Sequence, residues 1–126
     1  MTDKILNPII ELVSFKGEDC LKFTFTGYFS TKYAEFAVAE WREYFETIGD
    51  EKVVVIWDSV NMTGFDLKAQ KIWQKELKEL KGQIKCVWLI TNSKIIRAGA
   101  KLMSVFTSYC LKVVDTPDNI AFSILL

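Results

Sequence analysis

The sequence predicts a single-domain α/β fold, a mixed five-stranded sheet covered by four helices. Three observations carry that expectation. Residues 53–57 form an unbroken apolar run of strand length without polar alternation, as a strand buried on both faces does, and residues 84–90 form a second, largely apolar run. Segments with apolar residues at helical spacing separate the strand-like runs. Near the N-terminus, residues 8–15 and 20–25 form two further runs joined by Lys16-Gly17-Glu18-Asp19, a turn short enough for an antiparallel hairpin.

The 126 residues are half apolar and a quarter charged, enough for a core without disulfides or metal. Acidic and basic residues balance at 16 each, so no net field favours a nucleic-acid partner. The absence of histidine removes His-based triads, the commonest general base near neutral pH, and most zinc sites. Cys20, Cys86 and Cys110 are odd in number, far apart and in no C-x-x-C pair. Cys86, inside an apolar run, is expected to be an inert buried thiol, and this usage fits a reducing cytoplasm. No signal-peptide pattern opens the chain, and no apolar run reaches the roughly 18–20 residues that span a bilayer. With no P-loop, dinucleotide glycine pattern or nucleophile elbow, neither cofactor nor catalysis is expected. Pairing Asp58 with Asp66 or Asp115, as acid and base or as Mg²⁺ ligands, has no support in the spacing.

After the hairpin, Thr26-Gly27 breaks the strand pattern and Ser30 or Thr31 can cap a helix over residues 32–48. Ala34, Ala37, Val38, Trp41, Tyr44, Phe45 and Ile48 share one side of it, with Glu35, Arg42, Glu43 and Glu46 opposite and Gly49 ending it. The central run 53–57 follows, and Asp58 is expected to stop it. Ser59, Asn61, Thr63 and Gly64 then form a polar loop, closed by Asp66 at the N-cap of a second helix, 66–81. Ala69, Ile72, Trp73, Leu77 and Leu80 give that helix its buried stripe. Lys68, Lys71, Lys75 and Lys78 form an exposed ridge, diluted by Glu76 and Glu79.

The run 84–90 and the turn Thr91-Asn92-Ser93 lead to a third helix, 94–109. Its apolar residues Ile95, Ile96, Ala98, Gly99, Leu102, Met103, Val105, Phe106 and Tyr109 cover about half the circumference, wider than the ~100° stripe a surface helix needs. Lys94, Arg97 and Lys101 hold the rest without an acid among them. A last strand at 111–114 precedes Asp115-Thr116-Pro117-Asp118, a helix start, and a terminal helix at 120–126. Strands separated by helices imply right-handed crossovers, a largely parallel sheet and helices on both its faces. Residues 53–57 should lie inside the sheet, parallel to 84–90, and Trp41, Trp57, Trp73 and Trp88 should point inward.

The β-β-α-β-α-β-α-β-α order, with VVVIWD, TGFDLKA opening a helix, IKCVWLITNS, and LKVVDTPDNIAFSIL at the close, resembles the anti-sigma-factor-antagonist domain, known as STAS, over nearly the whole chain. The likeness is greatest in the divergent branch, which is similar to Sec14-type apolar-ligand carriers. The resemblance implies a bacterial, cytoplasmic, non-enzymatic regulatory module that binds a protein partner. In the regulatory branch a helix start near the Asp66 position carries a serine that a partner kinase phosphorylates. Here Leu67, Lys68 and Ala69 follow Asp66 and cannot accept phosphate, so that switch is expected to be lost. Thr63 and Ser59 are the nearby hydroxyls.

Two candidate surfaces follow. Parallel sheets gather their strand-to-helix turns at the carboxyl ends of the strands, where open α/β proteins place ligands. Asp58, Ser59, Asn61, Thr63, Gly64, Asp66 and Lys68 form a partner-docking loop there, beside a rim of Thr91, Asn92, Ser93, Asp115 and Thr116. These residue types also favour turns and caps on their own account. The second surface is the third helix, where Ile95, Ile96, Arg97, Gly99, Lys101, Met103 and Phe106 would line an apolar pocket or meet an anionic membrane. The first surface makes the chain a protein-docking module. The second makes it a small carrier or sensor of an apolar, lipid-like ligand, and a pocket beside the third helix would favour that alternative.

Overall fold

A computed structural model describes residues 7–122. Lys16 and Gly17, both at positive φ, reverse the chain between β1 (Ile9–Phe15) and β2 (Glu18–Phe29), which pair antiparallel as the hairpin expectation requires. There follow α1 (Thr31–Ile48), β3 (Val53–Phe65), α2 (Leu67–Leu80), β4 (Ile84–Ile90), α3 (Lys94–Thr107) and β5 (Leu111–Val114), with 3-10 turns at Lys81–Gln83 and Pro117–Asn119. The sheet runs β1-β2-β3-β4-β5, parallel from β2 onward. Residues 53–57 are interior and parallel to Ile84–Ile90, as expected.

That strand order overturns the expectation of helices on both faces. A right-handed crossover sends its helix to the face set by the direction in which the next strand is added. Each strand after β2 is added on the same side of the last, so the direction never reverses and all three helices fall on one face. Trp41 and Phe45 of α1, Trp73 and Leu77 of α2, and Ile96, Ala100 and Met103 of α3 share one core with Phe23, Phe25, Val55, Trp57, Val87 and Leu89 from the strands. Trp73 sits at its centre, its ring 4.9 Å from Trp41, 5.2 Å from Phe29 and 5.7 Å from Phe23.

The two-residue period of a strand turns Val54 and Ile56 to the other face. There they meet Cys20, Ile90 and Ile120, with Val13, Phe15, Trp88, Val114 and Phe122 packed around them. The segment after β5 takes the place of a helix layer on that face. Phe122 meets Phe15 and Trp88 edge-on at 6.2 and 6.0 Å, and Lys16 Nζ donates to the carbonyls of Asp118 and Ile120. Trp88 therefore belongs to this second face, not to the core that holds the other three tryptophans.

The described residues hold three α-helices, not four. Thr116 caps and Pro117 opens the expected last helix, but it ends as the 3-10 turn Pro117–Asn119. Residues 120–122 are not helical, and 123–126, the remainder of that expected helix, lie outside the described residues. The strands also outrun their sequence limits. β2 passes through Thr26 and Gly27 to Phe29, and β3 passes through Asp58 to Phe65, the two staying paired across register shifts at Thr24/Thr26 and Gly27/Tyr28. Polar composition suggested a loop at 58–64. The β2–β3 ladder overrides it by satisfying the backbone there.

Cys86 and Cys110 form a disulfide, so Cys86 is not the inert free thiol expected. Parallel pairing sets Val87 opposite Leu111, which brings the preceding residues of both strands together, Cα to Cα 4.6 Å. Cys20 is the free cysteine among the described residues, and burial, then Glu18 and Asp19, push its thiol up to about 11. The argument from cysteine usage for a reducing compartment does not stand. No helix among the described residues is long and apolar enough to cross a membrane.

Candidate functional site

The first candidate surface is a strand end, not a loop. Ser59 is buried on the helix face, Asp58 is half-buried with Oδ1 accepting from Val60 N at 3.3 Å, and Asn61, Thr63 and Lys68 are exposed. Gly64 lies under the Tyr28 ring, whose Cδ1 would stand 3.2 Å from a Cβ placed there. Asp66 occupies the N-cap position of α2 but makes no side-chain cap to that helix. Its Oδ2 accepts instead from Thr31 N at 2.9 Å and Thr31 Oγ1 at 3.0 Å, and its Oδ1 from the Tyr28 hydroxyl at 2.6 Å. The carboxylate thus sits at the positive end of α1, where a negative charge is favoured. The Tyr28 hydrogen bond, then those from Thr31, hold Asp66 below the usual carboxylate range, and the bond to Asp66 raises Tyr28. Of the rim residues, Thr91 is buried and accepts from Ser93 N, and Ser93 caps α3 through Ile96 N. Because the strand order never reverses, the sheet has no switch-point crevice for these residues to line.

The second candidate surface divides in two. At 3.6 residues per turn, Ile96, Ala100, Met103 and Thr107 form one stripe of α3, and these are its buried residues. Gly99 adjoins that stripe on the flank toward α2, where Gln70 Nε2 donates to its carbonyl at 3.0 Å. A Cβ at Gly99 would lie 2.8 Å from Phe65 Cζ, so a larger residue there would displace that ring. Farther round the same flank come Ile95, Leu102, Phe106 and Val105, which are 73, 51, 64 and 74 % exposed. The apolar half of α3 is therefore core on one side and bare on the other. Arg97, Lys101 and Lys94 occupy the opposite flank, all exposed.

The lysine ridge of α2 is exposed, and of the two acids expected to dilute it Glu76 is withdrawn into the interior while Glu79 stays half exposed. Glu76 is buried toward α1, gripped by Arg42 through Nε–Oε2 at 2.6 Å and Nη2–Oε1 at 2.7 Å, and Glu79 lies 3.2 Å from the same guanidinium. Lys68, Lys71, Lys75 and Lys78 take part in none of the described ion pairs.

Behind α3 lies a cavity of about 50 Å³. Trp57, Ser59, Met62 and Phe65 of β3 form one wall, Gln70 and Trp73 of α2 another, and Ile96, Gly99, Ala100 and Met103 of α3 the third. It is a third of the ~150 Å³ that holds a benzene, far below a lipid. The sequence named Ile96, Gly99 and Met103 but missed the β3 wall, since residues 58–64 read as loop. The exposed Leu102 and Val105 were legible as apolar yet not as bare.

No protein-family model matches the chain, and no curated protein matches its sequence. Two chains of solved structure match. One is described as an uncharacterized protein from the DUF3478 family with a SpoIIAA-like fold, from Shewanella loihica PV-4, with a TM-score of 0.73 and 16 % identity over 92 % of each chain. The chain has a SpoIIAA-like, that is STAS-like, fold, as the sequence resemblance implied. At this identity the likeness concerns the fold alone.

Proposed function

We propose that this chain is a non-catalytic STAS-like binding module that seats on anionic membrane surfaces through α3. The observation that carries this reading is the row of exposed apolar side chains Ile95, Leu102, Val105 and Phe106 on a helix that also exposes Lys94, Arg97 and Lys101. An interfacial helix buries such an apolar face by ~5–10 Å while its basic residues meet the headgroups, each contributing about 1 kcal/mol near acidic lipid. Docking of a protein through residues 58–68 has less behind it, because Ser59 is buried and Asp66 is committed to the start of α1.

Sedimentation with vesicles tests the reading. The protein should pellet with phosphatidylglycerol-containing vesicles and not with phosphatidylcholine alone. Binding should fade with salt as the Debye length falls from about 8 Å at physiological ionic strength to about 3 Å at 1 M. Arg97→Glu with Lys101→Glu should abolish binding while circular dichroism stays unchanged, since both side chains are exposed. Equal binding by both proteins, or none by either at low salt, would remove the membrane reading and leave the protein-docking one.

A further inference from the structure

We infer that the outer edge of β1 is the contact of a homodimer, in which two copies of the strand pair antiparallel about a two-fold axis between their Leu12 residues. β1 ends the sheet, and among the described residues it pairs with β2 alone. The hairpin fixes which of its backbone groups face outward. Phe15 and Glu18 flank a two-residue turn and exchange both backbone hydrogen bonds, and bonded and non-bonded pairs then alternate along the antiparallel ladder. Phe15, Val13, Glu11 and Ile9 therefore bond to β2, whereas Ser14, Leu12 and Ile10 turn their N–H and C=O groups to the open edge. The Tyr44 hydroxyl agrees with this phase, since it donates from α1 to the outward carbonyl of Ile10 at 3.0 Å. That oxygen keeps a second lone pair.

The residues of β1 specify a second copy of the same strand. No bulge, proline or lysine interrupts its seven residues, the devices that sheet proteins use to guard an edge. The opposite edge, β5, is four residues long and carries Lys112. A two-fold between Leu12 residues sets Leu12 against Leu12 and Ile10 against Ser14, so every outward N–H of one copy meets an outward C=O of the other. On the helix face Leu12, 50 % exposed, packs on its own copy. On the other face Ile9, 48 % exposed, lies across from Phe15. No charge meets a like charge in this register. Moving the axis to Glu11 sets two carboxylates against each other, and moving it to Val13 carries Ile10 past the end of the partner strand. The contact is one strand wide, which places it among weak interfaces. It does not rest on the membrane reading.

Sedimentation equilibrium of the full chain tests this. The average mass should rise from monomer to dimer between micromolar and millimolar protein and go no further. Leu12→Lys, which sets two ammonium groups against each other at the axis, should hold the monomer at every concentration while circular dichroism stays unchanged, with Leu12→Asp as the substitute should that variant fail to fold. Arg97→Glu with Lys101→Glu should dimerise as the wild type does, whatever becomes of vesicle binding. Amide hydrogen exchange locates the contact. Ile10, Leu12 and Ser14 should slow about tenfold where nine-tenths of the chains are paired, and Glu11 and Val13, already bonded to β2, should change little. The inference is overturned by a monomer at all concentrations, by growth beyond the dimer, or by association that Leu12→Lys leaves intact. Slow exchange of Leu12 and Ser14 in dilute, monomeric protein would equally overturn it, because the edge would then be covered by its own chain.

Discussion

The Asp66 carboxylate occupies the cap position of one helix and serves another. Thr31 and Tyr28, its partners, lie 35 and 38 residues earlier in the chain. The pH dependence follows from the direction of the shift. A carboxyl held below its ordinary value stabilises the fold above about pH 3.9 and loses that contribution as the pH falls through its lowered native value. Asp66→Asn should therefore lower the melting temperature at neutral pH, with the gap from the wild type closing toward strong acid. A gap of the same size at both ends of that range would show that the charge contributes nothing. The same hydrogen bond raises Tyr28, so its share is complete below about pH 10 and lost as the pH rises through the raised value.

At the scale of elements, α3 is enclosed by a covalent loop. The Cys86–Cys110 bridge joins β4 to the residue before β5, a separation of 24 residues that contains the whole helix. Closing a loop of that length removes unfolded-state entropy equivalent to about 3 kcal/mol. Reduction should then lower the melting temperature by on the order of 10 °C. Cys86→Ser with Cys110→Ser should melt with the reduced wild type and be indifferent to reductant. Coincident melting of the oxidised and reduced wild type would show that the bridge adds no stability. The loop also bears on the membrane face, because it ties both ends of the helix that carries the exposed apolar row.

At the scale of the molecule, three helices on one face leave the other face to the segment after β5. Ile120, 1 % exposed, is the side chain that segment buries most deeply against Val54, Ile56 and Ile90. Ile120→Ala should cost about 3 kcal/mol in urea unfolding, within the range of large-to-small core substitutions. Vesicle binding should be unaffected, since α3 lies across the sheet. A cost below about 0.5 kcal/mol, the level of a surface substitution, would mean that this face needs no cover.

The sequence by itself determined what depends on neighbours within a few residues. The buried stripes of α1 and α2 and the caps Ser30, Ser93 and Thr116 arise from helical period and local hydrogen bonds. The parallel pairing of residues 53–57 with 84–90 was legible because the first run is apolar throughout, the second is apolar apart from Lys85, and a helix separates them. Of the candidate site, the apolar breadth of α3 and its basic flank were legible for the same local reason. Tertiary structure alone decided which half of that breadth is core, because the answer depends on where α2 and the sheet stand. It also decided the length of β2 and β3, the partners of Asp66 and Glu76, the cysteine pairing and the single-sided helix layer. Each of these rests on contacts between residues 24 or more positions apart or on the order of strands across the sheet. Composition over a short window carries no record of such contacts.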